Sequence, residues 1–370
     1  MATNNKKVVF VLPGIAGGGA EKVVLNLYKA LELYHGYECH IISLSRNVAH
    51  AVDAQLRVHY LDEATRVGKH GFKRFTYRKL LAKIVDDHID QAIGRNCIVL
   101  SNMMFCDKIM SLSRQRVFHI IHSSYGQALL GGKPRYRQFF IKRNINHVYR
   151  NHPMIFVSQG ALDGFCAHFR SGVDKTVICN PVNETEVRAL AEREPAGVAG
   201  NYIVHVGRFN RQKRHDRLLQ AFAKVRSNVK LVLLGDGRLE TDIRAQVDQL
   251  GLTGRVVFMG FRQNPYPLIK GARALVLTSD VEGLPTVILE AICLGTAVVA
   301  TDCPGGIREI IDRDSPSLVP LDDINAIAAA IDDAVTHPEK YTSSLDKKFN
   351  SRFAADQYDR LFRGKGDGAN

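Results

Sequence analysis

The chain has 370 residues, of which 45% are apolar and 24% are charged, and a net charge of +13. This composition excludes a disordered chain, and no run reaches the roughly 18 uninterrupted apolar residues of a membrane-spanning helix. The seven cysteines include no C-x-x-C pair. A disulfide scaffold or a zinc ribbon is therefore disfavoured, and we expect a reducing, cytoplasmic location.

All of the excess positive charge lies in the first half of the chain. Residues 1–180 contain 25 Lys and Arg against 12 Asp and Glu, whereas the two kinds balance in the remainder. We therefore expect this half to meet something negative. Nucleic acid, an anionic bilayer and a phosphorylated substrate all qualify.

Apolar runs separated by amphipathic stretches predict two parallel sheets. In the first half, the runs are 8–15, 39–44, 97–100, 117–121 and 154–157. From about residue 200 the pattern begins again, with predicted strands at 202–206, 230–234, 256–258, 274–277 and 297–300 and predicted helices near 215–225, near 240–250 and from about Pro285. Continuous apolar strands separated by helices are typical of parallel sheets covered on both faces.

We therefore predict an α/β protein of two doubly wound, Rossmann-like domains that face each other across a cleft. The first domain is predicted over 1–180 and the second over 181–345, with a helical tail over 346–370. A return of this tail to the first domain is one option. Ligands of open α/β sheets bind at the carboxyl ends of the strands, so candidate site residues should follow strands.

A glycine loop follows the first predicted strand. Gly17 and Gly18 would let the backbone approach a ligand, and the start of the next helix favours an anion. The loop lacks the G-x-G-x-x-G pattern, and the second strand ends without an acidic residue, which disfavours a dinucleotide site. A tight turn without a ligand is the alternative.

A basic run follows the predicted strand 202–206. Its five cationic or potentially cationic residues are Arg208, Arg211, Lys213, Arg214 and His215. The planar fork of Arg and the point charge of Lys together suit a diphosphate. The alternative is a solvated charge run at the surface.

Two glutamates follow the predicted strand 274–277. Pro285 fits the first turn of a helix, which places Glu282 in the loop before it and Glu290 on the helix. At helical rise the two carboxylates lie up to about 12 Å apart, which exceeds the roughly 5 to 9.5 Å of a pair flanking one glycosidic bond. We therefore expect contacts to different hydroxyls of an extended ligand, with two unrelated glutamates as the alternative. The helix start offers backbone amides for phosphate oxygens, those of Gly283, Leu284 and Thr286.

Three weaker candidates also follow strands. Gly235-Asp236-Gly237 fits a turn, and the loop 301–306 could offer amides. His122 comes directly after the predicted strand 117–121, where it could act as a hydrogen-bond donor or a base. A histidine that is merely packed is the alternative.

The motifs of the second half resemble those of a known family. They are similar to retaining family-4 glycosyltransferases of GT-B architecture, most specifically over residues 200–310 and overall over about 6–312. The matching elements are Glu282-x7-Glu290, Gly207-Arg208 with Lys213, Gly235-Asp236-Gly237, Gly260-Phe261 and Asn180-Pro181-Val182. Among the members of the family, the chain looks most like bacterial enzymes that build lipopolysaccharide core, O-antigen or capsule.

The resemblance implies a nucleotide-diphosphate-sugar donor, a UDP-sugar first, with GDP- or ADP-sugars as alternatives, and neither a cofactor nor an obligatory metal. Arg208 and Lys213 would neutralise the diphosphate. Glu290 would bind the ribose hydroxyls and Glu282 those of the sugar. With His122, the residues Arg208, Lys213 and Glu282 form the expected catalytic set. Further donor contacts are implied for Gly283, Leu284, Thr286, Gly235, Phe261, Arg262, Gly17 and Gly18.

Two stretches of the basic half, 66–83 and 133–150, interleave aromatic residues with Lys and Arg. Such stretches suit RNA or an anionic membrane surface. Because no RNA-binding signature is present, we expect peripheral contact with the inner leaflet of the cell membrane, a glycan or lipid-linked acceptor, and no nucleic acid. A solvated basic face is the alternative.

Two other functions fit the same architecture. A sugar-nucleotide epimerase would need acidic residues poised at a sugar carbon, and a non-catalytic nucleotide-sugar-binding protein would keep the fold without the chemistry. The pattern of Glu282 and Glu290 points away from the first. The presence of Arg208 and Lys213 beside these glutamates argues against the second.

Overall fold

The computed structural model describes residues 6–15, 17–46, 55–61 and 74–364. The chain forms two compact units. The first comprises the residues up to Pro181 together with those from Lys348 onward, and the second comprises Val182–Lys347. None of the helices in the described ranges has both the length and the apolar character needed to cross a bilayer.

The first unit is built on a parallel sheet. Its strands in the described ranges are β1 (Lys7–Leu12), β2 (Glu38–Ser43), β3 (Val58–Tyr60), β4 (Ile98–Asn102), β5 (Arg116–Ile121), β6 (Met154–Phe156) and β7 (Lys175–Val177). They lie in the order β3-β2-β1-β4-β5-β6-β7, so the direction of winding reverses between β1 and β4. Among the described residues before 181, the α-helices are α1 (Gly19–His35), α2 (Arg74–His88), α3 (Met103–Met110), α4 (Tyr125–Leu130), α5 (Arg135–Val148) and α6 (Gln159–Cys166).

The second unit repeats this architecture. Its strands are β8 (Tyr202–Val206), β9 (Lys230–Leu234), β10 (Val256–Gly260), β11 (Ala274–Leu277), β12 (Ala297–Thr301) and β13 (Leu318–Val319), in the order β10-β9-β8-β11-β12-β13 and all parallel. Its helices are α7 (Glu184–Ala191), α8 (His215–Phe222), α9 (Glu240–Gln249), α10 (Tyr266–Lys270), α11 (Thr286–Cys293) and α12 (Ile324–Thr336). The prediction of two Rossmann-like α/β halves is therefore confirmed.

The central strands of both sheets are buried on both faces, which explains why their sequences are continuous apolar runs. Val8 to Leu12 of β1 are all fully buried, as are the four residues of β11 apart from a 1% exposure of Leu277. Helices on both sides of a parallel sheet exclude water from alternate side chains in both directions. Burial of this kind is the main favourable contribution to the stability of each unit.

The carboxy-terminal helix α13 (Ser351–Arg363) belongs to the first unit, where it packs against α1. The phenol of Tyr37 donates a 2.9 Å hydrogen bond to Asp359, and the His35 ring lies 2.8 Å from Asp356. Phe362 packs edge-on against Tyr37. The last described residues are therefore held by polar and aromatic contacts to the end of α1 and to Tyr37 just after it.

The long strands lie where the sequence predicts them, and three short strands were not predicted. These are β3, β7 and β13, with three, three and two residues. Helix α7 begins just after the predicted boundary between residues 180 and 181. Of the basic stretch 66–83, residues 66–73 lie outside the described residues, and the remainder belongs to α2.

Buried histidines make stability depend on pH. His215 is 2% exposed, its ring packs against Phe209 and His205, and burial lowers its pKa to about 4. An unfolded histidine has a pKa of about 6.5, so between about pH 6.5 and pH 4 the unfolded chain binds the proton and the folded chain does not. Stability contributed by the neutral ring is therefore present above about pH 6.5 and is lost as the pH falls towards 4.

We expect His215→Phe to reduce the loss of unfolding free energy between pH 7 and pH 5 by about 1–2 kcal/mol. Urea unfolding at the two pH values measures this loss, with the exposed His147→Gln as the matched control. Equal losses in the His215→Phe chain and in the unaltered chain would show that this ring is not held neutral.

Candidate functional site

The ends of three adjacent strands converge at the carboxyl edge of the second sheet. The amide of Gly207 donates to the carbonyl of Leu234, and the amide of Gly235 donates to that of Gly260, both at 2.9 Å. A Cβ at Gly235 would lie 2.1 Å from the Gly207 carbonyl oxygen, and Gly235 has a φ of +139°. Glycine is required here because the loops after β8 and β9 are in direct backbone contact.

Lys213 and Glu282 form an ion pair at this edge. The Lys213 ammonium lies 2.7 Å from Oε1 of Glu282, and both side chains are largely buried, at 18% and 10% exposure. The alkyl chain of Lys213 passes over Gly207, where a Cβ would meet its Cε at 3.2 Å. An ammonium has three N–H donors, so Lys213 can hold Glu282 and still donate to a phosphate.

Arg208 follows Gly207 directly and is exposed. Within the part of the chain that the structure describes, its guanidinium forms no ion pair. Because the Lys213–Glu282 pair is neutral overall, Arg208 supplies the net positive charge here. Together with the remaining N–H donors of Lys213, this arrangement favours an anionic ligand.

The loop that carries Glu282 is fixed by cations that the sequence analysis did not assign to it. Arg217 is only 2% exposed, and its guanidinium bonds to Asp280 at 2.8 Å, to Asp322 at 2.6 Å and to the Thr278 carbonyl. Arg214 pairs with Asp280 at 2.9 Å and has a φ of +51°, which is uncommon for a residue with a side chain. These pairs hold the loop after β11 against the start of α8.

Arg214 belongs to the predicted basic run, and Arg217 lies two residues after it. The acidic partners of these two arginines could not be predicted from the run. Asp322 is 105 residues away from Arg217. The structure therefore divides the run. Arg208 and Lys213 lie at the strand edge beside Gly207, whereas Arg214 and Arg217 stabilise the loop.

The segment after Glu282 leads into α11 through a close backbone contact. A Cβ at Gly305 would lie 1.7 Å from the Glu282 carbonyl oxygen, and the Gly306 amide donates to the Gly283 carbonyl at 2.8 Å. Among the described residues, the amides of Leu284 and Thr286 donate no hydrogen bond. These two amides at a helix start are available to an anion.

The helix predicted from about Pro285 is present, with Pro285 at its N-cap rather than inside its first turn. The helix begins at Thr286, and Pro285 is its N-cap, with a φ of −74° and an extended ψ of 93°. A proline is tolerated at either position, because neither needs an amide hydrogen inside the helix. Glu282 lies in the loop and Glu290 on the helix, as expected.

Glu290 is held at the buried face of α11. It is 5% exposed, and the hydroxyl of Tyr266 donates a 3.3 Å hydrogen bond to its Oε1. Burial and the adjacent carboxylate raise the pKa of Tyr266, so this phenol remains a donor. Glu290 shares a helix face with Thr286, one turn earlier. Tyr266 was not predicted as a site residue, and no spacing in the sequence links it to Glu290.

Phe261 and Arg262 follow β10, at the edge of the second sheet. Phe261 is 39% exposed, and Arg262 is exposed as well. They adjoin Gly260, whose carbonyl accepts from the Gly235 amide. An exposed ring next to the site could stack on a planar base.

The glycine loop of the first unit contains a buried carboxylate. The amide of Gly18, the N-cap of α1, donates a 2.5 Å hydrogen bond to Glu21, which is 5% exposed. Gly17 has a φ of +78°. Because a carboxylate already occupies this helix start, the loop suits a hydroxyl group better than a phosphate.

His122 follows β5 at the carboxyl edge of the first sheet. Asn102, at the end of β4, donates from its amide nitrogen to the Leu100 carbonyl at 2.9 Å, which leaves its Oδ1 to accept from His122 Nε2 at 2.9 Å. His122 Nδ1 is buried and has no partner among the described residues. Asn102 was not predicted, although adjacent parallel strands bring their carboxyl ends to one edge.

The protonation of His122 follows from this arrangement. Burial lowers its pKa to about 4, so the ring is neutral near pH 7 and carries its proton on Nε2. Nδ1 is then a hydrogen-bond acceptor and a weak base. Because Nδ1 is itself buried, a ligand hydroxyl could reach it only if the surrounding residues moved.

Other groups at these edges add little further chemistry. Burial raises the pKa of the Cys303 thiol to about 12, so it is not a thiolate near neutral pH. Within the described ranges, no group of three or more His, Cys, Asp or Glu residues is arranged to hold a metal ion.

Comparison with solved structures assigns the fold. The sucrose-phosphate synthase of Thermosynechococcus elongatus superposes with a TM-score of 0.73 over 97% of this chain and 98% of that one, at 20% sequence identity. With two Rossmann-like parallel-sheet halves, the chain has the GT-B glycosyltransferase fold.

Residues 188–349 match the family described as glycosyl transferases group 1, and this part of the chain is a glycosyl transferase group 1 domain. A relative in Campylobacter jejuni, the N-acetylgalactosamine-N,N'-diacetylbacillosaminyl-diphospho-undecaprenol 4-alpha-N-acetylgalactosaminyltransferase, is 26% identical over 87% of this chain and 88% of its own length. The lipopolysaccharide 1,6-galactosyltransferase of Escherichia coli K12 is 32% identical over 50% of this chain and 54% of its own length. The predicted resemblance to bacterial lipopolysaccharide and capsule glycosyltransferases is thus confirmed, whereas family 4 and the retaining mechanism stay predictions.

Proposed function

We propose that this glycosyltransferase moves a sugar from a nucleotide-diphosphate-sugar to a lipid-linked or phosphorylated glycan, with retention of configuration and without a metal. The observation that carries the proposal is the arrangement at the second sheet, where exposed Arg208 and the Lys213–Glu282 pair adjoin the unoccupied amides of Leu284 and Thr286. Two cations and a helix start suit a diphosphate. The names of both relatives support the acceptor class.

Each site residue has a role in this proposal. Arg208 and Lys213 bind the diphosphate, Glu290 accepts hydrogen bonds from the ribose hydroxyls, and Glu282 accepts them from the donor sugar. Remaining contacts are proposed for Gly235, Gly283, Phe261 and Arg262 near the nucleotide, and for Gly17, Gly18 and His122 near a sugar hydroxyl.

The proposed chemistry is electrostatic. The bond between the sugar C1 and the diphosphate oxygen breaks, the acceptor oxygen forms its bond to C1 on the same face, and the acceptor's proton passes to the leaving diphosphate. Negative charge on that diphosphate grows during the reaction, and fixed cations stabilise it without reorganising. Lys213 is held in place by Glu282 before any donor binds, which is the preorganisation that this mechanism needs.

A nucleotide-sugar panel tests the proposal. A ligand that binds only the folded chain raises its melting temperature, so one of UDP-, GDP- and ADP-sugars should stabilise the chain, with UDP-sugars expected first. Incubation of that donor with lipid-linked glycans should then release free nucleotide diphosphate and a glycosylated product with the donor's anomeric configuration.

The other outcomes identify other functions. An epimerised donor without transfer would indicate the epimerase. Stabilisation without turnover on any acceptor would indicate a non-catalytic binding protein. Neither outcome is expected. The ammonium of the Lys213–Glu282 pair offers a positive charge to a leaving group, as transfer requires. The carboxylate of this pair is bound to that ammonium and is not an acid poised at a sugar carbon, as epimerisation requires.

The proposed location is the cytoplasmic face of the cell membrane, with peripheral attachment through the basic first unit. A lipid-linked acceptor is anchored in a bilayer, so the enzyme has to reach that surface. The net charge of +13 in residues 1–180 supports attraction to anionic lipid.

A further inference from the structure

Helix α5 exposes three aromatic rings. Tyr136, Phe139 and Phe140 are 60%, 62% and 64% exposed. Isolated exposed apolar residues are common, but three large rings within two turns of one helix form a patch. Such a patch is costly in water unless it meets an apolar surface.

The rings share one face of the helix. Positions 136, 139, 140, 143 and 147 follow the spacing i, i+3, i+4, i+7 and i+11, so they form one outward stripe. Ile145 and Val148, at 1% and 2% exposure, lie on the opposite face and pack into the core. The helix is therefore anchored by one face and presents the aromatic stripe on the other.

In the sequence, the stripe is flanked by positive charge alone. From residue 108 to residue 162 the sequence contains nine Lys and Arg and no Asp or Glu. The cations on α5 are Arg135, Arg137, Lys142 and Arg143. In the part of the chain that the structure describes, none of these four forms an ion pair. Their charge is available to an anionic partner.

An aromatic ring of the stripe and two arginines line the same shallow cavity of about 500 Å³. Phe140 lines it together with Arg143 and Arg150. An apolar ring beside two guanidinium groups matches the boundary of a bilayer, where acyl chains meet phosphate headgroups. A second copy of this chain is a poor occupant, because two surfaces of uniform positive charge repel each other.

We propose that α5 is the segment that lies on an anionic membrane, with Tyr136, Phe139 and Phe140 inserted among the headgroups and the cations of α5 bound to lipid phosphates. The assignment rests on the proposed function, since a lipid-linked acceptor brings the enzyme to a bilayer. Insertion of the rings also makes a prediction that purely electrostatic attraction to the membrane does not make. Part of the binding should resist salt, because inserted rings are not screened.

The test uses the absence of tryptophan from the chain. In Phe140→Trp the new indole is the only one, and a matched control, Leu33→Trp, places one on α1 at a residue that is 74% exposed. With vesicles containing phosphatidylglycerol, the emission of Phe140→Trp should shift to shorter wavelength and be quenched by brominated acyl chains. The emission of Leu33→Trp should do neither.

Flotation with the same vesicles measures the contribution of the rings. Phe139→Ser with Phe140→Ser should weaken binding on the order of tenfold and remove the part that persists at high salt. The control pair, Leu33→Ser with Leu112→Ser, removes exposed apolar surface elsewhere and should bind like the unaltered chain.

Three results would overturn the proposal. The first is no shift of the Phe140→Trp emission with anionic vesicles. The second is that the variant with Phe139→Ser and Phe140→Ser binds the vesicles as tightly as the unaltered chain at low and at high salt. The third is tighter binding of the chain to a single-stranded RNA than to the vesicles. Stabilisation by nucleotide sugars is measured without lipid, so a failure of the membrane assignment leaves the proposed function standing. A failure of donor binding likewise leaves the vesicle result to be judged alone.

Discussion

Replacement of Lys213 by alanine is expected to lower turnover at saturating donor by about 100-fold or more, the scale of removing one preorganised charge from a developing anion. The ammonium is fixed 2.7 Å from Glu282 and packed over Gly207, so it does not need to be ordered when the diphosphate leaves. The measurement is the initial rate of nucleotide release at several donor concentrations. This separates turnover from donor affinity.

Arg211→Ala provides the matched control, because it removes an exposed cation from the same run. It should change turnover by less than about threefold, as expected for a screened surface charge. Full turnover in Lys213→Ala at saturating donor would show that this ammonium does not stabilise the leaving group. Thermal unfolding of both variants without ligand checks that a change in turnover does not reflect a damaged fold.

Glu290→Ala should act mainly on donor affinity, raising the Kd by about tenfold to a hundredfold. A charged hydrogen bond contributes about 1.5–3 kcal/mol, and each 1.4 kcal/mol is a factor of ten. The carboxylate is buried and already oriented by the hydroxyl of Tyr266, so little ordering is needed when a ribose binds. Tyr266→Phe should have a smaller effect in the same direction.

The ribose assignment has an internal control in the ligand. A nucleoside diphosphate without the 2′ and 3′ hydroxyls should bind the Glu290→Ala variant and the unaltered chain equally. Calorimetric titration of both proteins with both ligands gives four affinities, from which the coupling between Glu290 and the ribose hydroxyls is calculated. If the penalty of Glu290→Ala persisted with the dideoxy ligand, Glu290 would have another role.

The sequence was sufficient to predict the long strands and the residues that directly follow them. Strands β1, β8 and β11 are buried on both faces, so their apolar runs are unbroken. The ligand-binding edge of a parallel sheet is the edge where such runs end. Glu282 and Lys213 could be selected on that ground, before any contact between them was known.

The short strands could not be predicted for a physical reason. The residues of β3 and β7 are only half-buried, and β13 has two residues. Such segments carry no apolar run, because their pairing depends on backbone hydrogen bonds to a neighbouring strand. Pattern alone does not distinguish them from loops.

Pairings between distant residues were also beyond the sequence. Tyr266 and Glu290 are 24 residues apart, and Arg217 and Asp322 are 105 apart. A single sequence contains many possible partners for each side chain. The Asn102–His122 contact was easier to predict, because Asn102 ends β4 and His122 follows β5, and these two parallel strands are adjacent.

A crystal structure of the chain with the nucleoside diphosphate that stabilises it most would show where the diphosphate binds. We predict that the diphosphate contacts the Arg208 guanidinium, the Lys213 ammonium and the amides at the start of α11, with the ribose hydroxyls on Glu290. A diphosphate bound elsewhere, such as at Arg143 and Arg150, with the Lys213–Glu282 pair untouched, would contradict it.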